Sequence, residues 1–158
     1  MDNWISLSDE QYRMVWDKFY RDFKFKPSIH SNDWPSYRLP IPFVTFDITE
    51  YTDDNIDDLE ENCIKCLRAV TGADEYIYAL DWQHESYLYN PHLEKGNASG
   101  RIGFFPDGDY YFFLNIDFKW GYLGHPWEQS ISIFGEELIH QFEINRPTIF
   151  GKKVRSNR

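Results

Sequence analysis

The hydrophobic positions of this chain change period along its length, and that change divides it into elements. Tyr12, Val15, Trp16, Phe19 and Phe23 recur at spacings of three and four, with Arg13, Asp17, Lys18, Arg21 and Asp22 between them. This is one apolar stripe on an amphipathic helix, which needs a sheet or a second helix to cover it. Ser8 and Gln11 have the spacing of a capping box, and Leu7 with Tyr12 that of the staple beside it. Residues 24–42 carry Pro27, Pro35, Pro40 and Pro42 together with Ser28, Ser31 and Asn32, which deny both a helix and a central strand. They predict a long ordered loop pinned to the body by Trp34 and Tyr37.

Phe43 to Thr49 alternates as a strand, with Val44, Phe46 and Ile48 on one face. A second helix opens at Thr52 to Asp54. Its stripe is Ile56, Leu59, Cys63, Cys66, Leu67 and Val70, acids fill its first turns, Lys65 and Arg68 its last, and Gly72 closes it. From Tyr76 the period becomes two. Tyr76–Trp82, Tyr87–Asn90, Ile102–Phe105, Asp109–Ile116, Lys119–Leu123 and Gln129–Phe134 read as short strands. Pro106-Asp107-Gly108-Asp109 is a tight turn expected to join two adjacent antiparallel strands. A short third helix runs from Glu136 to Phe142, and the basic tail 152–158 is expected to be disordered.

The order of helix, strand, helix, strands and helix is not a βαβ alternation. It predicts one α+β domain over residues 1–158: a mostly antiparallel sheet, two long helices packed on one face, and a short C-terminal helix.

Composition sharpens this picture in two respects. Aromatic residues make up 19% of the chain, so large rings build the core, and their Tyr and Trp polar atoms need partners. Acidic side chains outnumber basic ones 26 to 16, a formal charge of -10. That balance argues against nucleic acid and against an anionic membrane, because phosphate binding draws on clustered Lys and Arg. A basic protein partner, or solubility alone, fits the charge. No basic-plus-apolar leader and no apolar run of ~18 residues is present, so the chain is expected to stay in the cytoplasm.

Three clusters carry groups that enzymes use: Asp81, Trp82 and His84 with His92 beyond them; Asp107 and Asp109; and His125, Trp127 and Glu128. An Asp with a His can make a base and its orienting carboxylate, and two histidines plus Glu128 could ligate a metal. Each also has a structural reading, as turn chemistry or as hydrogen-bonded corners. No metal motif, phosphate loop or nucleophile elbow accompanies them, so no metal and no cofactor is expected. Cys63 and Cys66 form a C-x-x-C late in a helix, where the dipole does not lower a thiol pKa, and read as core. Asp81, Trp82, His84, His92, His125, Trp127 and Glu128 are the candidates for a shared groove. Asp53, Asp54, Asp57, Asp58, Glu60 and Glu61 are the candidates for a partner-facing surface.

The stretches from Ser8 to about Phe142, and the strings FPDGDYY at Phe105–Tyr111 and GHPWE at Gly124–Glu128 above all, resemble a bacterial family. It is filed as a domain of unknown function and is common in spore-forming Gram-positives. The resemblance implies no activity. It does imply a neighbourhood, since some similar proteins are encoded beside contact-dependent toxin loci, among small acidic immunity-type proteins. Three functions follow as expectations: an immunity-like inhibitor of a basic toxin, a small-molecule or nucleotide-derivative binder that sequesters its ligand, and a small hydrolase using the His, Asp and Glu groups. The weight leans away from an enzyme.

Overall fold

The computed structural model describes residues 1–94 and 101–158. The first helix, α1 (Asp9–Asp22), begins at Ser8, whose Oγ accepts from the Gln11 N–H while the Gln11 side chain accepts from the Ser8 N–H. Both halves of the predicted capping box therefore form. The second helix, α2 (Asp53–Ala69), starts with Asn55 Oδ1 accepting from the Thr52 N–H at 2.9 Å. The third, α3 (Glu136–Ile144), follows Gly135 at φ 92°. A Cβ there would lie 2.6 Å from Trp120 Cβ, so both the backbone angle and the close approach demand glycine.

Among the described residues eight strands form one sheet, antiparallel at every pairing. They are β1 (Trp4–Ser6), β2 (Phe43–Asp47), β3 (Ile77–Asp81), β4 (Tyr87–Tyr89), β5 (Tyr111–Leu114), β6 (Gly121–His125), β7 (Ser130–Phe134) and β8 (Lys153–Asn157). Their order across the sheet is β1-β4-β3-β5-β6-β7-β2-β8. The α+β class, the antiparallel sheet and the short C-terminal helix are all as the sequence predicts.

The placement of the long helices is not. Successive residues of a strand point to opposite faces. Phe112 of β5 stacks on Phe19 of α1 at 4.6 Å, whereas Phe113 packs in the cluster that holds Leu59, Cys63 and Leu67 of α2. So α1 covers one face together with the Pro-rich loop, and α2 with α3 covers the other. Both stripes were correctly legible, but a stripe does not say which face of a sheet it seeks. The central strands answer by being apolar on both sides, as strands covered on both faces must be.

Two further expectations change. Ile102–Phe105 is not a strand. Ile102 and Phe104 are buried in the α2-side core, and the Phe104 N–H donates to Glu60 rather than to a sheet neighbour. The tail 152–158 is not free either, because β8 pairs with the β2 edge. Its Arg155 guanidinium grips Glu128 through two nitrogens, at 2.9 and 2.6 Å, and Arg158 reaches Glu136 and Glu143. A basic segment finds an ordered seat on an acidic body, a pairing that local sequence does not reveal.

Phe19 is fully buried among Phe23, Phe25 and Phe112. Phe19→Ala is expected to lower unfolding stability by about 3–5 kcal/mol, the usual cost of a phenyl-sized core cavity. A shift of the urea midpoint at unchanged slope is the measurement that checks it.

Candidate functional site

The candidate groove residues fall into three separate environments. His125, in β6, is fully buried. Its Nδ1 accepts from the Glu128 N–H at 3.0 Å, which leaves the proton on Nε2, and Nε2 donates to Ser36 Oγ at 2.9 Å. The Tyr110 hydroxyl donates to the same Ser36 oxygen at 3.1 Å and accepts from the Ser28 N–H. Trp34 and Tyr37 set their rings against the imidazole. His125 is thus the post to which the Pro-rich loop is tied, and Trp34 and Tyr37 do pin that loop. Burial drives its pKa down to about 4, because nothing nearby stabilises a charged ring enough to offset lost water.

Glu128 lies next to this post with Ser130 and Arg155 as partners. Burial raises its pKa, but the Ser130 and Arg155 hydrogen bonds more than offset that, and the carboxyl stays below its ordinary value. Trp82 and Trp127 each meet the Tyr110 ring edge-on, at 5.8 and 5.3 Å. Both are partly buried and pack against the α1-side core. His92 sits beyond the end of α2, where Nε2 lies 3.0 Å from both the Thr71 hydroxyl and the Thr71 carbonyl.

The third environment gathers titratable groups. β3 ends at Asp81, and the chain turns through Gln83, which takes a positive φ of 65°, so that the His84 N–H donates to the Asp81 carbonyl. The turn folds His84 Nδ1 back to 3.2 Å from Asp81 Oδ1. Across the ladder Asp81 faces Tyr111, and Asp109, two residues earlier, brings Oδ2 to 2.8 Å from the same Nδ1. The two carboxylates are mostly buried, 19% and 15% exposed, and the imidazole stands over them 65% exposed. Desolvation and then the facing Asp109 carboxylate push Asp81 up to about 7, against the lowering pull of His84. His84 is raised in turn, chiefly by its bond to Asp81. Asp81 with His84 was anticipated as a pair. The sequence reads Asp109 as turn chemistry, and only the β3–β5 pairing shows that it faces them. Strand register was the signal, and a sequence leaves register open.

The acidic helix divides as well. Asp58 accepts from the Asn62 amide and from the Thr148 N–H, and Glu60 accepts from the Phe104 N–H, so both hold neighbouring segments in place. Asp53, Asp54, Asp57 and Glu61 are exposed and make no ion pair among the described residues. Just before the helix, Tyr51 packs on Phe105 at 4.9 Å, and the two rings line a cavity of about 110 Å³ with Pro106, Asp107 and Pro126. A larger cavity, about 180 Å³, lies between β2, β8 and α3, with Val44, Phe46, Ile139 and Phe142 as its apolar lining. Arg146 and Arg158 at its rim are engaged with the chain's own carbonyls and carboxylates. Cys63 and Cys66 are buried thiols, and burial lifts Cys66 to about 12, which leaves it protonated and inert.

With this geometry in hand, comparison places the chain among known sequences. The family model described as "Protein of unknown function (DUF2716)" matches residues 6–139. The chain belongs to this family. It is also 34% identical over 165 residues to "Uncharacterized protein YxiI" of Bacillus subtilis (strain 168), covering 97% of this chain and all of that one. The bacterial, spore-former family suggested by the sequence strings is therefore the right one. No solved structure matches the chain. Among the described residues no helix is long and apolar enough to cross a membrane.

The opposite pKa shifts of two groups make a measurable contrast. His125 refuses a proton that the unfolded chain accepts between pH 6.5 and about 4. Its contribution to stability is complete above pH 6.5 and is lost as pH falls toward 4, a change on the order of 3 kcal/mol. Asp81 has the reverse sign, because a carboxyl raised to about 7 favours the folded state at low pH and loses that advantage as pH rises toward 7. Ring NMR separates these contributions. His125 is expected to remain a neutral Nε2–H tautomer well below pH 6, while His84 stays charged above its ordinary range.

Proposed function

We propose that this protein is an acidic, cytoplasmic, stoichiometric binding protein whose partner is a basic protein, in the manner of an immunity protein holding a toxin. The observation that carries the reading is the exposed face of α2. Asp53, Asp57 and Glu61 follow one another at intervals of four, so their carboxylates stand side by side, and Asp54 flanks them. Like charges at that spacing cost a few tenths of a kcal/mol per pair. The helix dipole rewards the acids of the first turn, Asp53 and Asp54, but its effect fades beyond that turn. Among the described residues neither Asp57 nor Glu61 has an ion-pair partner. A cationic surface would supply one.

The neighbouring cavity adds an anchor point. Tyr51 and Phe105 offer aromatic faces and Asp107 a carboxylate, a combination that suits an inserted Lys or Arg side chain. A formal charge of -10 would further speed encounter with a positive partner.

The test pairs capture with a charge-neutral variant. Tagged protein recovered from its producing organism is expected to carry one basic protein at equal stoichiometry. The combined substitution Asp53→Asn, Asp57→Asn, Glu61→Gln should leave thermal stability unchanged or slightly raised, since it relieves repulsion. The same variant should slow association with that partner about tenfold or more and flatten its salt dependence. Equal association rates for variant and native protein would exclude α2 as the docking surface.

A further inference from the structure

The strongest unassigned chemistry lies at the end of β3, away from the α2 face. We propose that Asp81, His84 and Asp109 form a binding site for a divalent transition cation of the Zn²⁺, Mn²⁺ or Fe²⁺ class. One atom from each side chain contributes, and the three atoms lie within 4.8 Å of one another. His84 Nδ1 is 3.2 Å from Asp81 Oδ1 and 2.8 Å from Asp109 Oδ2. Ligands bound at ~2.0–2.1 Å around a tetrahedral ion stand about 3.3 Å apart, close to the two distances from Nδ1.

The donors are also held in place from outside. Asp109 Oδ1 is occupied by the Tyr110 N–H at 2.9 Å, which aims Oδ2 at the imidazole. The Asp81 N–H is fixed to Ser86 Oγ, and the 81–84 turn is closed by its own backbone bond. Such supporting bonds are what orient ligands at metal centres.

A second observation points the same way. Glu128, the other mostly buried carboxylate with a charged neighbour, has Arg155 as a permanent cation. Asp81 and Asp109 face each other with no Lys or Arg paired to either among the described residues. With only the exposed His84 imidazole beside them, two mostly buried carboxylates gain from a further positive charge, and an ion bound beside His84 supplies it. One nitrogen with two oxygens suits these borderline cations better than Ca²⁺ or Mg²⁺, which favour oxygen alone. Three protein ligands, with the imidazole exposed, leave a coordination position open to water or a substrate atom.

The experiment is isothermal titration of the chelator-treated protein with Zn²⁺ and then Mn²⁺, followed through the His84 ring resonances. One ion per chain is expected, with the His84 signals moving and those of His92 and His125 unmoved. Asp109→Asn and His84→Ala should each weaken that site about 100-fold. His84 is exposed, so its variant should fold normally, and a melting curve confirms the same for Asp109→Asn. Absence of binding at millimolar metal overturns the proposal. So does uptake that both variants retain in full, because the ion then sits elsewhere.

Discussion

Phe112, Phe113 and Leu114 are three successive residues of one strand, and all three are fully buried. A strand in that state needs cover on both faces, and this need organises the molecule. Phe112 and Leu114 require α1 and the Pro-rich loop, while Phe113 requires α2, α3 and the irregular 102–105 segment. Aromatic rings fill both layers because few other side chains span the gap between a sheet and a helix so completely. The antiparallel neighbours β3 and β6 continue the pattern, with Leu80 and Leu123 on one side and Ala79 and Tyr122 on the other.

Polar atoms within this aromatic mass have to be partnered, and the way they are partnered positions the functional groups. His125 is neutral and buried so that Ser36 and Tyr110 can hold the loop over the α1 side. That binding of the loop makes Tyr110 a fixed point. Trp82 and Trp127 pack against it, and Asp109, its immediate predecessor, is held toward His84. A residue without chemistry of its own thus sets where the acidic pair stands.

Charge is distributed unevenly over this frame. The C-terminal segment neutralises one acidic region with Arg155 and Arg158, and Asp22 of α1 has Lys18 and Arg21 as partners. The α2 stripe and the Asp81–Asp109 pair are left without a permanent cation among the described residues. The two places lie on different elements. One is broad, exposed and suited to a macromolecule; the other is narrow, convergent and suited to an ion.

The sequence alone determined both helical stripes and the capping of α1. It determined the α+β class and most strands, because period and turn chemistry are local properties. It also marked Asp81 with His84, which are three residues apart. Tertiary structure decided everything that depends on which segments meet. It sent α1 and α2 to opposite faces, seated the basic tail as β8, and turned Ile102–Phe105 into buried irregular chain. It separated His92 and His125 from His84 and delivered Asp109 in their place. The physical reason is the same in each case: strand register and face choice are set by long-range pairing, and side chains far apart in sequence are brought together only when that pairing closes.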